Sequence, residues 1–189
     1  MASDSTDALA AALAAARDVL TKVGEAHMDD PTPCTSWNVR SLINHMVGAP
    51  RFAASRVTGR QAAVADVDYA AGDFVAYHDE TARVALEAFG APGAVDKTVT
   101  LPFGERPVGF LMLFVTTDQL AHAWDLARAV SQSTDIAPKL AAELLAEARS
   151  AVSEEMRGAD GEAAFGVERT APEGASSADC LAAFLGRTV

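Results

Sequence analysis

The sequence predicts an all-α fold of the bundle type. Three observations carry this. Apolar residues recur at helical spacing through five long stretches. Only one region, 90–107, is rich in breakers and strand formers. One stretch, Phe110 to Ser131, is apolar almost all round, as a central buried helix is.

Ser3 to about Asp29 reads as the first helix, capped by Asp4 or Ser5, with Leu9, Leu13, Ala16 and Leu20 as its stripe and His27 in its last turn. Pro31-Thr32-Pro33 stops it and forces an extended link. Thr35 or Ser36 then caps a second helix running to about Val57, with Val39, Leu42, Ile43, Met46, Pro50 and Ala53 on one face. Pro50 predicts a bend, or a break near Gly48. Cys34 precedes this helix, a place where a thiol pKa can fall, but a packed, structural role is the simpler expectation. His45 lies at the edge of the stripe, where a lone imidazole is more often a core group than a ligand.

Residues 58–70 read as a loop, and Ala71 to Phe89 as a third helix with Phe74, His78, Thr81, Ala85 and Phe89 aligned. His78 is a candidate to line a polar pocket, with a core imidazole or a partner for Asp79 or Glu80 as the plainer readings; Arg83 is a second pocket candidate. Val95, Thr98, Val99, Leu101 and Phe103 suggest a short two-stranded hairpin turning at Phe103-Gly104-Glu105-Arg106. After the central helix, Ile136 to about Met156 forms a fifth, capped by Asp135 or Thr134 with Pro138 in its first turn. A short helix from Ser177 to Leu185 closes the tail, with Cys180 as a small core residue.

The central helix carries the chemistry. Asp118, His122 and Asp125 lie together on its Leu111/Ala129 side, and ionisable groups on the apolar face of a buried helix are costly unless paired or metal-bound. Asp118 and His122 stand at i, i+4, so both side chains reach one point. One helix gives two ligands to one metal ion in this way. The same spacing also serves a plain hydrogen-bonded Asp–His couple, and both readings stand. Asp125 either holds the His122 imidazole from behind or pairs with Arg128.

Composition bounds the function. With 189 residues the chain is long enough for one domain with a sizeable core, and we read 1–189 as a single domain. A net charge of −11 argues against nucleic acid and anionic membrane as partners. The longest apolar run, Val108 to Val115, is far short of a membrane span, the N-terminus lacks a basic region typical of secretory signals, and two cysteines do not make a disulfide framework. A cytoplasmic protein is expected.

Three stretches carry a resemblance. They are Pro31-Thr32-Pro33-Cys34-Thr35-Ser36-Trp37 leading to His45-Met46-Val47-Gly48, then Asp118-Gln119-Leu120-Ala121-His122-Ala123-Trp124-Asp125-Leu126-Ala127, then Phe184-Leu185-Gly186-Arg187. Together they resemble the DinB/YfiT-like superfamily, and within it the actinobacterial metal-binding proteins related to the N-terminal domain of mycothiol-dependent maleylpyruvate isomerase. The resemblance covers nearly the whole chain. It implies a four-helix bundle with a long crossover and a divalent metal at one end of the core, zinc first and nickel second. The ligands it implies are His45, Asp118 and His122, and Asp125 would then orient one of them from the outer shell. It further implies a low-molecular-weight thiol such as mycothiol as co-substrate, in transfer to or isomerisation of a small electrophile; on that reading His78 and Arg83 are the candidate pocket residues. A homodimer is compatible with it. A non-catalytic metal-binding or stress-response protein and a metal-dependent hydrolase are the alternatives.

Two departures limit the transfer. The isomerase uses glutamate where this chain has Asp118, one methylene shorter, so a metal sits closer to the central helix or the carboxylate acts through water. The isomerase also carries a second, C-terminal domain, which is not expected here. The isomerase reaction itself is therefore not carried over.

Overall fold

The computed structural model describes residues 2–60, 67–101, 104–159 and 163–189. Six α-helices and one two-stranded antiparallel sheet appear among them, as an all-α bundle with a short hairpin: α1 (Ala2–Leu20), α2 (Val39–Thr58), α3 (Phe74–Phe89), β1 (Thr98–Leu101), β2 (Gly104–Pro107), α4 (Val108–Ala129), α5 (Pro138–Ala151) and α6 (Ser177–Phe184). Helices α1 and α2 each pack on both α3 and α4, while α5 and α6 pack together and α6 lies on α4.

α4 is the shared wall of three apolar clusters. Its first turns, with Leu111, Met112 and Val115, close a cluster with α1, α3 and the hairpin. Leu120 and Trp124 face α5 and α6. Ala123, Leu126 and Ala127 face the start of α2 and the end of α1. Apolarity on every side of this helix thus follows from its having neighbours on every side. No helix among the described residues is long and apolar enough to cross a membrane.

Several element ends differ from expectation. α1 stops at Leu20, well before Asp29: the Thr21 hydroxyl donates to the Asp18 carbonyl, the next backbone bonds tighten to Lys22→Val19 and Val23→Leu20, and Gly24 is extended. Such i→i−3 bonds are how a helix closes. His27 falls in a separate 3-10 turn, its Nδ1 accepting from the Gly24 N–H. The cap of α2 is Asn38, whose side-chain oxygen accepts from the Ser41 N–H, rather than Thr35 or Ser36. α3 begins after the Asp73 cap because residues Tyr69–Ala71 form a 3-10 turn held to α2 by Ala70 N–H donating to Asn44 Oδ1. The hairpin forms with Leu101 opposite Gly104, so Gly104, Glu105 and Arg106 lie in β2 and not in the turn; Phe103 lies outside the described residues. α5 starts from Ala137 with Pro138 in its first turn and no side-chain cap, and ends at Ala151 rather than Met156.

The expected break near Gly48 is absent: α2 runs unbroken through Pro50. Proline has no N–H, so the Met46 carbonyl four residues back loses its helical donor. The side chain of Gln119, fully buried on α4, supplies the replacement, its Nε2 donating to Met46 O at 3.1 Å. Replacing Gln119 by Leu orphans that carbonyl and costs about 2 kcal/mol of stability. In a Pro50→Ala background the backbone N–H restored at position 50 feeds Met46 instead, and the cost falls by about 1 kcal/mol. Urea unfolding of the four proteins of this cycle measures the coupling, and additive effects would contradict the account.

Candidate metal centre

Three segments converge on one side of α4. The first is the turn at 31–37, pinned by Thr32, whose hydroxyl lies 2.9 Å from Cys34 O and 2.8 Å from Trp37 O. This places Cys34 and Trp37 over α4. The second is α2, which brings His45. The third is the tail, whose two passes cross at Gly166 and Gly186. Gly186 has φ +100, and a Cβ there would come within 2.5 Å of Gly166 Cα, so only glycine allows the crossing that follows α6 and leads to Arg187.

At the centre Asp118 Oδ1 lies 3.0 Å from His45 Nε2 and 3.5 Å from His122 Nε2. One donor atom from each of the three lies within 4.8 Å of the others. The chemistry of this set fits a divalent ion: two imidazoles and one carboxylate are ordinary zinc ligands, and donors bound at about 2.1 Å to one tetrahedral ion stand roughly 3.4 Å apart. The expected convergence of His45, Asp118 and His122 is therefore present in the geometry.

Behind His122 lies a second layer. Its Nδ1 is 2.9 Å from Asp125 Oδ2, so Nδ1–H donates there and Nε2 is left facing Asp118. Asp125 is fully buried and accepts two further groups at the same oxygen, the Arg187 Nη2 at 2.9 Å and the Cys34 thiol at 3.2 Å, while Arg187 Nε donates to its Oδ1 at 3.2 Å. Asp125 thus accepts from the His122 Nδ1–H and takes Arg187, not Arg128, as its cation. Cys34, His122 and Asp125 form another cluster of three metal-type donors, but the guanidinium already supplies the positive charge there.

The charges set each other. Burial works against ionised Asp118, but the adjacent His45 and His122 outweigh it and hold its carboxyl well below the usual range. Burial likewise opposes a charged His122, and Asp118 and Asp125 on either side raise it well above an ordinary imidazole. Asp125 is brought down to about 2 against its burial, chiefly by Arg187 and then by His122.

The centre opens on a cavity of about 1000 Å³ whose walls include Cys34, Trp37, Arg169 and Arg187. The Trp37 ring packs on both imidazoles, with centroids 4.7 Å from His45 and 5.4 Å from His122. Two residues expected at a pocket are elsewhere. His78 is buried between α3 and α4, against Gln119, and does not line the cavity. Arg83 is on the outer face of α3, in ion pairs with Glu80 and Glu87. Arg187 and Trp37 stood in the quoted motifs without an assigned role, and Cys34, expected to be a packed structural residue, instead donates to Asp125 at the cavity wall. Only the buried position of Asp125 reveals what Arg187 does.

A family model described as the mycothiol maleylpyruvate isomerase N-terminal domain matches residues 9–127. The chain is 44% identical over 172 residues to two proteins of Mycobacterium tuberculosis, one from strain CDC 1551 / Oshkosh and one from strain H37Rv, both described as uncharacterized; the match covers 90% of this chain and 91% of each relative. No solved structure gives a significant match. The chain belongs to the mycothiol maleylpyruvate isomerase N-terminal domain family.

The Asp125–Arg187 pair yields a test. Arg187→Met strands a buried carboxylate and destabilises the protein by about 3 kcal/mol at neutral pH. Asp125 has a lowered folded-state pKa, so its contribution is present above the unfolded value, about 4, and is lost as pH falls toward about 2. The gap between wild type and variant in urea unfolding should therefore narrow as pH is lowered below about 4. A gap independent of pH would contradict the assignment.

Proposed function

We propose that this chain is a divalent-metal protein that takes a low-molecular-weight thiol of the mycothiol type as co-substrate and transfers it to, or uses it to isomerise, a small electrophile. The observation that carries the reading is the convergence of His45, Asp118 and His122 at the wall of a cavity of about 1000 Å³. Cavities of roughly 300–1,000 Å³ hold small-molecule ligands. Zinc is the first choice of metal, because three nitrogen and oxygen donors beside an open space suit a catalytic rather than a structural site; nickel is the second. A metal bound there supplies acidity, lowering the pKa of a thiol or water at the open position.

The chain's own groups do the rest. Asp125 fixes the His122 ring through Nδ1–H and so aims Nε2 at the shared point. Arg187 neutralises Asp125, leaving Asp118 as the carboxylate that faces the two imidazoles. Trp37 covers the flank of both rings and keeps water from that side. The tail wall, with Arg169 and Arg187, bounds the space left for the electrophile.

Purified without chelator, the protein should carry about one zinc per chain by plasma mass spectrometry, and His122→Ala should lose it. The loaded protein should consume monochlorobimane or chlorodinitrobenzene only when mycothiol is present. Thiol-independent ester or amide cleavage would instead make it a hydrolase. Tight metal binding with neither activity would make it a carrier or sensor. A wild type that takes up neither zinc nor nickel would end the metal reading.

A further inference from the structure

The contact between α2, α3 and α4 holds a polar chain that the donors of the centre do not explain. Gln119, next to Asp118 on α4, is fully buried and touches three groups. Two of them only accept hydrogen bonds: the Met46 carbonyl, freed by Pro50, and the ionised Asp118 carboxylate. Both therefore face the amide nitrogen, and Nε2 indeed lies 3.1 Å from Met46 O and 3.4 Å from Asp118 Oδ2. The amide oxygen is left for His78, whose Nε2 is 3.3 Å away and must carry the hydrogen. His78 Nδ1 is then a bare acceptor, buried without a partner. Each link fixes the next: a proline on α2 and a histidine on α3 determine which way one amide on α4 points.

We propose that Gln119 is the positioning residue of the metal centre. Keyed by Met46 and His78, its N–H holds Asp118 Oδ2 and leaves Oδ1, the oxygen between His45 and His122, as the single ligating atom. The inference rests on the metal reading above. On it, a carboxylate one methylene short of glutamate serves the site through one fixed oxygen, Oδ1.

The test separates this role from Gln119's part in stability. In the Pro50→Ala/Gln119→Leu double variant the backbone N–H regained at position 50 satisfies Met46, so the fold is kept while Asp118 Oδ2 loses its donor. Zinc affinity, read by competition with a chromophoric chelator, should fall about 10- to 100-fold relative to Pro50→Ala alone, and the visible absorption spectrum of the cobalt-loaded protein should change. If the double variant fails to fold, Gln119→Met in the same background is read in the same way. In metal-free wild type, nitrogen NMR should find His78 as the Nε2–H tautomer. Equal affinity and an unchanged cobalt spectrum would overturn the inference while leaving the metal reading intact. So would an Nδ1–H tautomer. A wild type that binds neither zinc nor cobalt would overturn both.

Discussion

Two carboxylates buried on one helix are the constraint around which the molecule is built. Asp118 and Asp125 project from α4, a helix with apolar neighbours on every side. An ionised carboxylate in such surroundings is tolerated only when opposite charge and hydrogen bonds meet it. The structure meets the two in different ways. Asp125 receives a permanent cation, the two-pronged Arg187 guanidinium, along with the His122 N–H and the Cys34 thiol. Asp118 receives two imidazoles and an amide N–H, none of which is a permanent cation. The first site is closed by the chain itself. The second is completed by something exchangeable, a proton on an imidazole or a metal ion. That difference separates a closed structural ion pair from the site proposed to hold a metal.

Bringing the partners together takes elements far apart in sequence. The turn at 31–37 carries Cys34 and Trp37, α2 carries His45, and the tail carries Arg187. Each is held by a local device: the Thr32 hydroxyl on two carbonyls, the Asn38 cap, and the glycine crossing of Gly166 and Gly186. Pro50 belongs to the same scheme. Its missing N–H is matched by Gln119 from α4, so an apparent flaw in α2 becomes a specific joint between the two helices that carry His45 and Asp118.

What the sequence made legible follows from what periodicity encodes. The i, i+4 spacing of Asp118 and His122 needed only α4 to be a helix, and i+3 placed Asp125 behind the imidazole. His45 was ambiguous by spacing and became a candidate only through resemblance. That His78 and Arg83 lie away from the cavity was not legible, because a helical wheel shows which residues share a face but not which neighbour that face meets; His78 meets Gln119 of α4, and Arg83 turns to solvent beside Glu80 and Glu87. Arg187 was beyond reach because its approach depends on a positive φ at Gly186 and on backbone contact with Gly166. The end of α1 was placed too late because the Thr21 side-chain bond and the tightened last turn leave no trace in apolar spacing.

The division between family segment and tail bears on where specificity resides. All three donors of the centre, with Asp125 and Cys34, fall inside the matched residues 9–127. Arg169, Arg187 and the glycine crossing fall outside them, yet they build much of the far wall of the cavity. The match to the mycobacterial relatives covers 90% of the chain and therefore reaches beyond the family segment. The bundle provides the centre and the tail a wall; α6 and the glycine crossing are held by apolar contacts, backbone hydrogen bonds and side-chain bonds from Trp124, Arg157 and Arg169, none of which touches the three donors. The exception is Arg187, which enters the charge balance of the centre itself. On the proposed reading, changes along the tail alter which electrophile fits, whereas changes at Arg187 disturb the orientation of His122. On that reading the tail is both substrate wall and structural counter-ion, and Arg187 takes part in both.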